Sequence, residues 1–354
     1  MKITRMTVLA TLGGLALVLG ACGGGEGDAG EAGAGAATSS APARWDGQSV
    51  STSGAEAPFS PQVVTSNFGV GQNRLSLALF KPDQTLVAEA EVSMRLYRLA
   101  ADPETEPEVA EQVGEFTLTQ RTLDLHPDHA ARLLDDATRL VALTPGVVTA
   151  PAHAAHEGDL TTVFVANLEF DRAGFWGIEV DATVDGTTYP SIRRRIFVQE
   201  HTSEPAIGDP APLSRQATLA DVDDIAQISS ATEPIPAMLE HTIAGAVALG
   251  RPAVVAFVTP AFCQTRFCGP VLEMVVVPAF ERYGDRVTFI HVEPYDLTAA
   301  RTQGQLVPVP AVTEWGLRVE PILFVLAADG TVYAKLEGIT DLEELSAAIE
   351  AVLD

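Results

Sequence analysis

Positive charge is what this 354-residue chain has least of: 22 lysines and arginines stand against 47 aspartates and glutamates, a formal net charge of −25. Such a balance repels phosphate backbones and anionic headgroups, which excludes nucleic acid as a partner and membrane binding driven by charge. Long apolar runs are scarce too. The charge-free run from Met6 to Gly20 is too short for a comfortable bilayer-spanning helix, which needs about 20 apolar residues. Cysteine is rarer still, at three residues: Cys22, Cys263 and Cys268. None falls between Pro61 and Glu200, so no disulfide can tie that stretch together.

What is present begins with a targeting signal. Lys2 and Arg5 precede the apolar run, and Leu19-Gly20-Ala21-Cys22 ends it. This order of basic, apolar and small residues is that of an export signal. The final tetrapeptide resembles the bacterial lipobox. That resemblance implies a lipoprotein signal peptide at residues 1–21 and a lipidated Cys22 as the mature N-terminus. An ordinary secretory signal cut after Ala21, or a retained anchor, is the alternative. Residues 22–60 form the expected tether, since Gly23 to Pro42 is almost wholly Gly, Ala, Ser, Thr, Glu and Asp and has no apolar face to bury. The expected location is extracytoplasmic, on the cell membrane or the outer membrane. Each buried acyl methylene there contributes about 0.8 kcal/mol.

The remaining chain is long enough for two cores. Residues 61–200 read as strands: Leu75, Leu77 and Leu79 alternate, as do Val92, Met94 and Leu96, then Trp176, Ile178 and Val180. Asp185-Gly186 between two such runs predicts a hairpin turn. An all-β, immunoglobulin-like sandwich is the most economical fold, with Asp128 to Leu143 as its one helical hint. The prolines of Ile207-Gly208-Asp209-Pro210-Ala211-Pro212 predict an extended lead-in to a second domain at residues 205–354.

That second domain alternates element types. Helix is expected over Pro236–Leu249 and from about Pro270 to Tyr283. Strands are expected over Ala253–Val258, Arg286–Val292, Ile322–Leu326 and Thr331–Leu336, with Asp329-Gly330 as a turn. A last helix runs from Asp341 to Leu353, with Thr340 as N-cap, Glu343 completing a capping box, and Leu342, Leu345, Ile349 and Val352 as its apolar stripe. The order is that of a mixed α/β sheet with helices on both faces.

Cys263 and Cys268 follow the first of those strands. On one regular helix they would be rotated apart and separated by a rise of about 7.5 Å, too far for a disulfide. Cys263 must therefore lie in the loop or in a distorted first turn. Gly269 suits a helix cap and Pro270 a first turn, which places Cys268 at a helix N-terminus. Unpaired N–H groups stabilise a thiolate there, and Arg266 adds a positive charge. An exported protein meets an oxidising compartment, so the pair is either a disulfide or a redox couple.

Cys268-Gly269-Pro270 resembles the Cys-Gly-Pro of the thioredoxin active site, and Trp315 to Leu323 resembles the segment around the thioredoxin cis-proline. Together they liken residues 205–354 to the thioredoxin-like superfamily. The resemblance implies a cis Pro321 facing the cysteines and a backbone edge at Glu320 for a bound peptide. It also implies thiol–disulfide exchange with protein thiols and disulfides of the cell envelope, without a cofactor. Two departures stand out. Four residues separate the cysteines where the superfamily usually has two, and Ala256 or Phe257 replaces the buried acid before the first cysteine. Without that acid, deprotonating the resolving thiol requires another base or water.

The wider cysteine spacing resembles atypical one-chain peroxiredoxins, which implies a thiol peroxidase as one alternative. A thioredoxin-fold binding module with a structural disulfide is the other, although so short a loop makes a poor staple. Cys263, in the loop, is the expected attacking thiol and Cys268 the resolver, while the helix-end argument favours the reverse. Metal is disfavoured, because copper chaperones of this fold add a histidine in a loop where Thr298 to Pro321 has none. His291 within a strand reads as a packed core residue. The pairs His126/His129 and His153/His156 have a spacing that can share a metal, but are read as loop histidines that bind nothing.

Overall fold

Three leucines in alternation fix one sheet. A computed structural model of the chain describes Trp45 and residues 57–100, 110–124, 160–263, 265 and 267–354. In β3 (Gly71–Phe80), Leu75, Leu77 and Leu79 point to one side and are fully buried. This strand pairs antiparallel with β1 (Ser60–Val63) and with β7 (Leu160–Phe170), and β6 (Thr119–Asp124) completes the sheet in the order β1-β3-β7-β6.

The second sheet has the order β2-β9-β8-β4-β5. Its strands are β2 (Phe68–Gly69), β4 (Glu91–Arg98), β5 (Glu111–Thr117), β8 (Gly174–Val184) and β9 (Thr187–Gln199). Val92, Met94 and Leu96 from β4 and Trp176, Ile178 and Val180 from β8 meet the β3 leucines in one core. Asp185 and Gly186 both take positive φ, 50° and 75°, and join Val184 to its partner Thr187. A two-residue turn of that kind suits the strand twist, and Asp-Gly supplies it.

The α/β half follows the same logic with continuous apolar runs. β10 (Ala253–Phe257), β11 (Thr288–Val292) and β12 (Ile322–Leu326) are buried at every position, as strands covered on both faces must be. With β13 (Val332–Glu337) they form a mixed sheet in the order β11-β10-β12-β13, parallel only between β10 and β11. The helices are α1 (Ile243–Ala248), α2 (Cys268–Val271), α3 (Val277–Tyr283), α4 (Leu297–Gln303), α5 (Pro310–Glu314) and α6 (Leu342–Leu353). On one side of the sheet, Val254, Ala256, Leu323 and Val325 meet residues of α3 and α6. On the other, Val255, Phe257 and Phe324 meet α1 and Trp315.

Local structure departs from expectation in four places. The helix expected over Pro236–Leu249 is broken: a 3₁₀ turn covers Pro236–Leu239, and Thr242 then N-caps α1 by accepting from Gly245 N–H. The last helix is capped by Asp341, which accepts from Glu344 N–H at 2.8 Å, and not by Thr340. The Thr340 hydroxyl donates to the Glu344 carboxylate instead. Between α2 and α3 the chain winds as a π-helix over Leu272–Val276. Pro278 just beyond lacks an N–H and crowds the preceding turn, and a wider turn relieves both. Finally, residues 22–60, expected as tether, include Trp45 and Phe59, which the fold buries. The tryptophan ring lies on Gly177, with the Arg193 guanidinium 5.2 Å from its centroid.

The described residues from Trp45 onward belong to one compact unit. The outer face of β3 explains why. Ala78, with Leu123 and Val163 of the same sheet, enters the core layer that also holds α3 and α6. Beside this layer Arg74, almost wholly buried, grips Glu344 through two bonds of 2.8 and 2.9 Å and donates to the Glu337 and Ile339 carbonyls. Lys335 pairs with Glu204 at 2.9 Å, and Glu337 accepts from the Ser66 N–H and hydroxyl. The helix hint at Asp128–Leu143 lies outside the described residues.

Candidate functional site

The end of β10 sets the site. Phe257 pairs with Val292 on one side and with Ile322 on the other, so the chain beyond Val258 leaves the sheet between the ends of β11 and β12. Thr259 to Cys263 carries it into a loop, and Cys268 is the first residue of α2. Cys263 and Cys268 are joined by a disulfide with Cα atoms 6.0 Å apart. The geometric expectation is met: one cysteine sits in the loop and the other starts the helix. Gly269 lies inside the first turn rather than at the cap, which is Phe267.

The two sulfurs have unequal access. Cys268 is fully buried in the apolar layer with Val258, Val271 and Met238, whereas Cys263 is half-buried at its edge. The Thr265 hydroxyl lies 3.3 Å from Cys263 Sγ. Any attack on this disulfide from outside meets Cys263 first, and Cys268 is the sulfur positioned to leave.

Pro321 immediately precedes β12, and the Glu320–Pro321 bond is cis. Because Ile322 pairs with Phe257, Pro321 sits at the end of β12 that adjoins the exit of the cysteine loop from β10. Next to it, on the Phe257 side of the sheet, lies a small cleft of about 120 Å³ lined by Phe257, Tyr295, Pro308, Leu317 and Glu320. Arg266 and Cys22 lie outside the described residues, as do His126, His129, His153 and His156. His291 is a core residue, with its Nε2 2.9 Å from the Val258 carbonyl, and burial pushes its pKa below the usual imidazole value. Among the described residues no three metal-ligating side chains converge.

Sequence reasoning missed Glu293. It follows β11 directly, is 5% exposed, and accepts a 2.9 Å bond from Ser230 N–H. Burial pushes its carboxyl up to about 7, outweighing the nearby Thr259 hydroxyl, the hydrogen bond from Ser230 and the charge of Arg301. The only sequence sign is an acid closing the apolar run Phe289-Ile290-His291-Val292, just ahead of Pro294. Compared with known proteins, the chain matches no protein-family model and no curated protein.

Proposed function

We propose that this chain is a membrane-anchored, extracytoplasmic thiol–disulfide oxidoreductase that works through Cys263 and Cys268 on a thioredoxin-like scaffold. The observation that carries this reading is the asymmetric disulfide: a half-buried sulfur in a loop, bonded to a fully buried sulfur at the start of a helix, beside the end of a central strand. A substrate thiolate attacks Cys263 Sγ, the Cys263–Cys268 bond breaks, and Cys268 leaves as a thiolate. A second substrate thiol then displaces Cys263, so the substrate is oxidised by two electrons and the pair becomes a dithiol. The reverse sequence reduces a substrate disulfide.

The position of Pro321 supports the same reading, since it brings a backbone edge and the adjoining cleft to the exit of the cysteine loop. The lipobox-like Leu19-Gly20-Ala21-Cys22 supports the anchor, and the sandwich, immunoglobulin-like in its patterning, serves as a rigid mount or docking module. Full burial of Cys268 favours one other reading, a binding module whose disulfide is structural. Trapping separates them. Cys268→Ser should accumulate a mixed disulfide between Cys263 and an envelope protein, and Cys263→Ser should not. If neither variant traps a partner and the wild type neither reduces nor oxidises a test protein, the structural reading stands.

A further inference from the structure

Glu293 has no part in the exchange just described, yet it is tied to the loop that carries Cys263. The inference that follows rests on that reading of the cysteine pair and deepens it. Alternation along β11 puts Phe289, His291 and Glu293 on one face, and Phe289 belongs to the same apolar layer as Cys268. Two of these side chains hold the segment that leaves β10. His291 Nε2 lies 2.9 Å from the Val258 carbonyl oxygen. Glu293 Oε2 accepts from Ser230 N–H at 2.9 Å, and Ser230 Oγ in turn accepts from Ala261 N–H at 3.1 Å, two residues before Cys263.

Between them lies fully buried Thr259. By distance and angle neither its hydroxyl nor Glu293 Oε1 completes a hydrogen bond, although the hydroxyl is close enough to favour the ionised carboxylate. A charge buried so incompletely satisfied costs far more than a neutral acid in the same place.

We propose that Glu293 is a positioning residue of the cysteine site: neutral, it seats the Thr259–Cys263 segment through Ser230, and on ionising it unseats that segment and opens the disulfide to attack.

The sign follows from burial. Seated, the carboxyl titrates at about 7, against an ordinary value of 4.5. A group raised in this way stabilises the seated arrangement fully below its ordinary value, and the contribution is lost as pH rises through 7. The charged and titratable neighbours do not reverse this. Arg301 of α4 pulls the carboxyl down only in part, and its Nη1 is committed to the Ala226 carbonyl. His291, kept below its usual pKa by burial, stays neutral as the pH rises.

The test is the rate at which dithiothreitol reduces the Cys263–Cys268 bond. Two dithiothreitol thiols become its cyclic disulfide as the two cysteines become thiols, so atoms and electrons balance. Rates are taken from about pH 5.5 to about pH 8.5 and divided by those for oxidised glutathione under the same conditions, which cancels the thiolate fraction of the reductant. The wild-type ratio should rise about tenfold between roughly pH 6 and 8, since each unit of pKa released corresponds to a factor of ten. Glu293→Gln should remove the rise. Ser230→Ala, which keeps the acid but cuts its link to Ala261, should raise the ratio at low pH and flatten its slope. A flat wild-type profile, or an unchanged rise in both variants, overturns the proposal. If Glu293→Gln does not fold, Ser230→Ala alone decides. Because the rate is measured on the pair itself, a protein that trades no disulfides with other proteins but keeps this pH profile sinks the oxidoreductase reading alone.

Discussion

Arg74→Met removes one side of a buried ion pair joining the sandwich to the α/β half. In the native protein the guanidinium satisfies both oxygens of Glu344 and the carbonyls of Glu337 and Ile339, with its side chain 3% exposed and that of Glu344 13%. Methionine fills a similar volume but leaves the carboxylate with only the Thr340 hydroxyl and the charge of Arg121. Breaking a buried pair from one side costs about 3–5 kcal/mol, a large share of an ordinary stability of about 5–15 kcal/mol. At about 2–4 °C per kcal/mol, the melting temperature should fall by roughly 6–20 °C in thermal unfolding followed by circular dichroism or calorimetry. The pH dependence gives a sharper check. Burial pushes Glu344 up, but the charge and hydrogen bonds of Arg74, with a bond from Thr340, outweigh it and hold the carboxyl below the usual range. That depressed pKa stabilises the wild type above the ordinary carboxylate range and is lost as pH falls. In the variant burial is opposed only by Thr340 and the Arg121 charge, so protonation relieves it and the gap to wild type should narrow in acid. Arg74→Met combined with Glu344→Leu should recover most of the loss. A loss below about 1 kcal/mol at neutral pH, or a gap that does not change with pH, would refute the reasoning and leave the apolar layer as the main fastener.

Two further outcomes are expected. Gly177→Ala puts a methyl carbon 2.5 Å from the Trp45 ring, so Trp45 must lift away, and acrylamide should quench a tryptophan that the wild type shields; unchanged quenching would mean the ring does not rest there. Cys22→Ala should release the protein from membranes or leave it unprocessed, and unchanged mature mass with unchanged membrane association would sink the lipid anchor.

The elements legible in the sequence are those with a clean period or an obligatory turn residue. Leu75, Leu77 and Leu79 announce β3, and Asp185-Gly186 announces the hairpin between β8 and β9. The run Ile322 to Leu326 matches β12 residue for residue. Where two solutions fit one pattern, the sequence was ambiguous. Thr340 with Glu343 and Asp341 with Glu344 are equally good capping pairs by spacing; in the structure Asp341 takes the Glu344 N–H, while Arg74, from a strand 270 positions away, holds the Glu344 carboxylate. The spacing of Leu239, Ile243 and Val247 suits a continuous helix, but Thr242 bonds to Gly245 N–H and starts a new one. At the site, the cysteine spacing implied a loop position for Cys263 through simple helix geometry. Glu293 was invisible for the opposite reason. Its burial depends on Ser230 and Thr259, which approach from other segments, and no local pattern marks a carboxyl that tertiary packing will enclose.

The apolar layer that unites Ala78, Leu123 and Val163 with α3, α6 and Cys268 gives the molecule the character of a gauge block. If the pair exchanges as proposed, a partner gripping the sandwich would meet the disulfide at one set distance and angle, because no linker separates the grip from Cys263. Under that proposal a partner would be selected by span, since only thiols lying where this ruler ends could meet Cys263. Cutting the chain near residue 200 would not yield two smaller working pieces, since each would carry away half of an interior and present it to water.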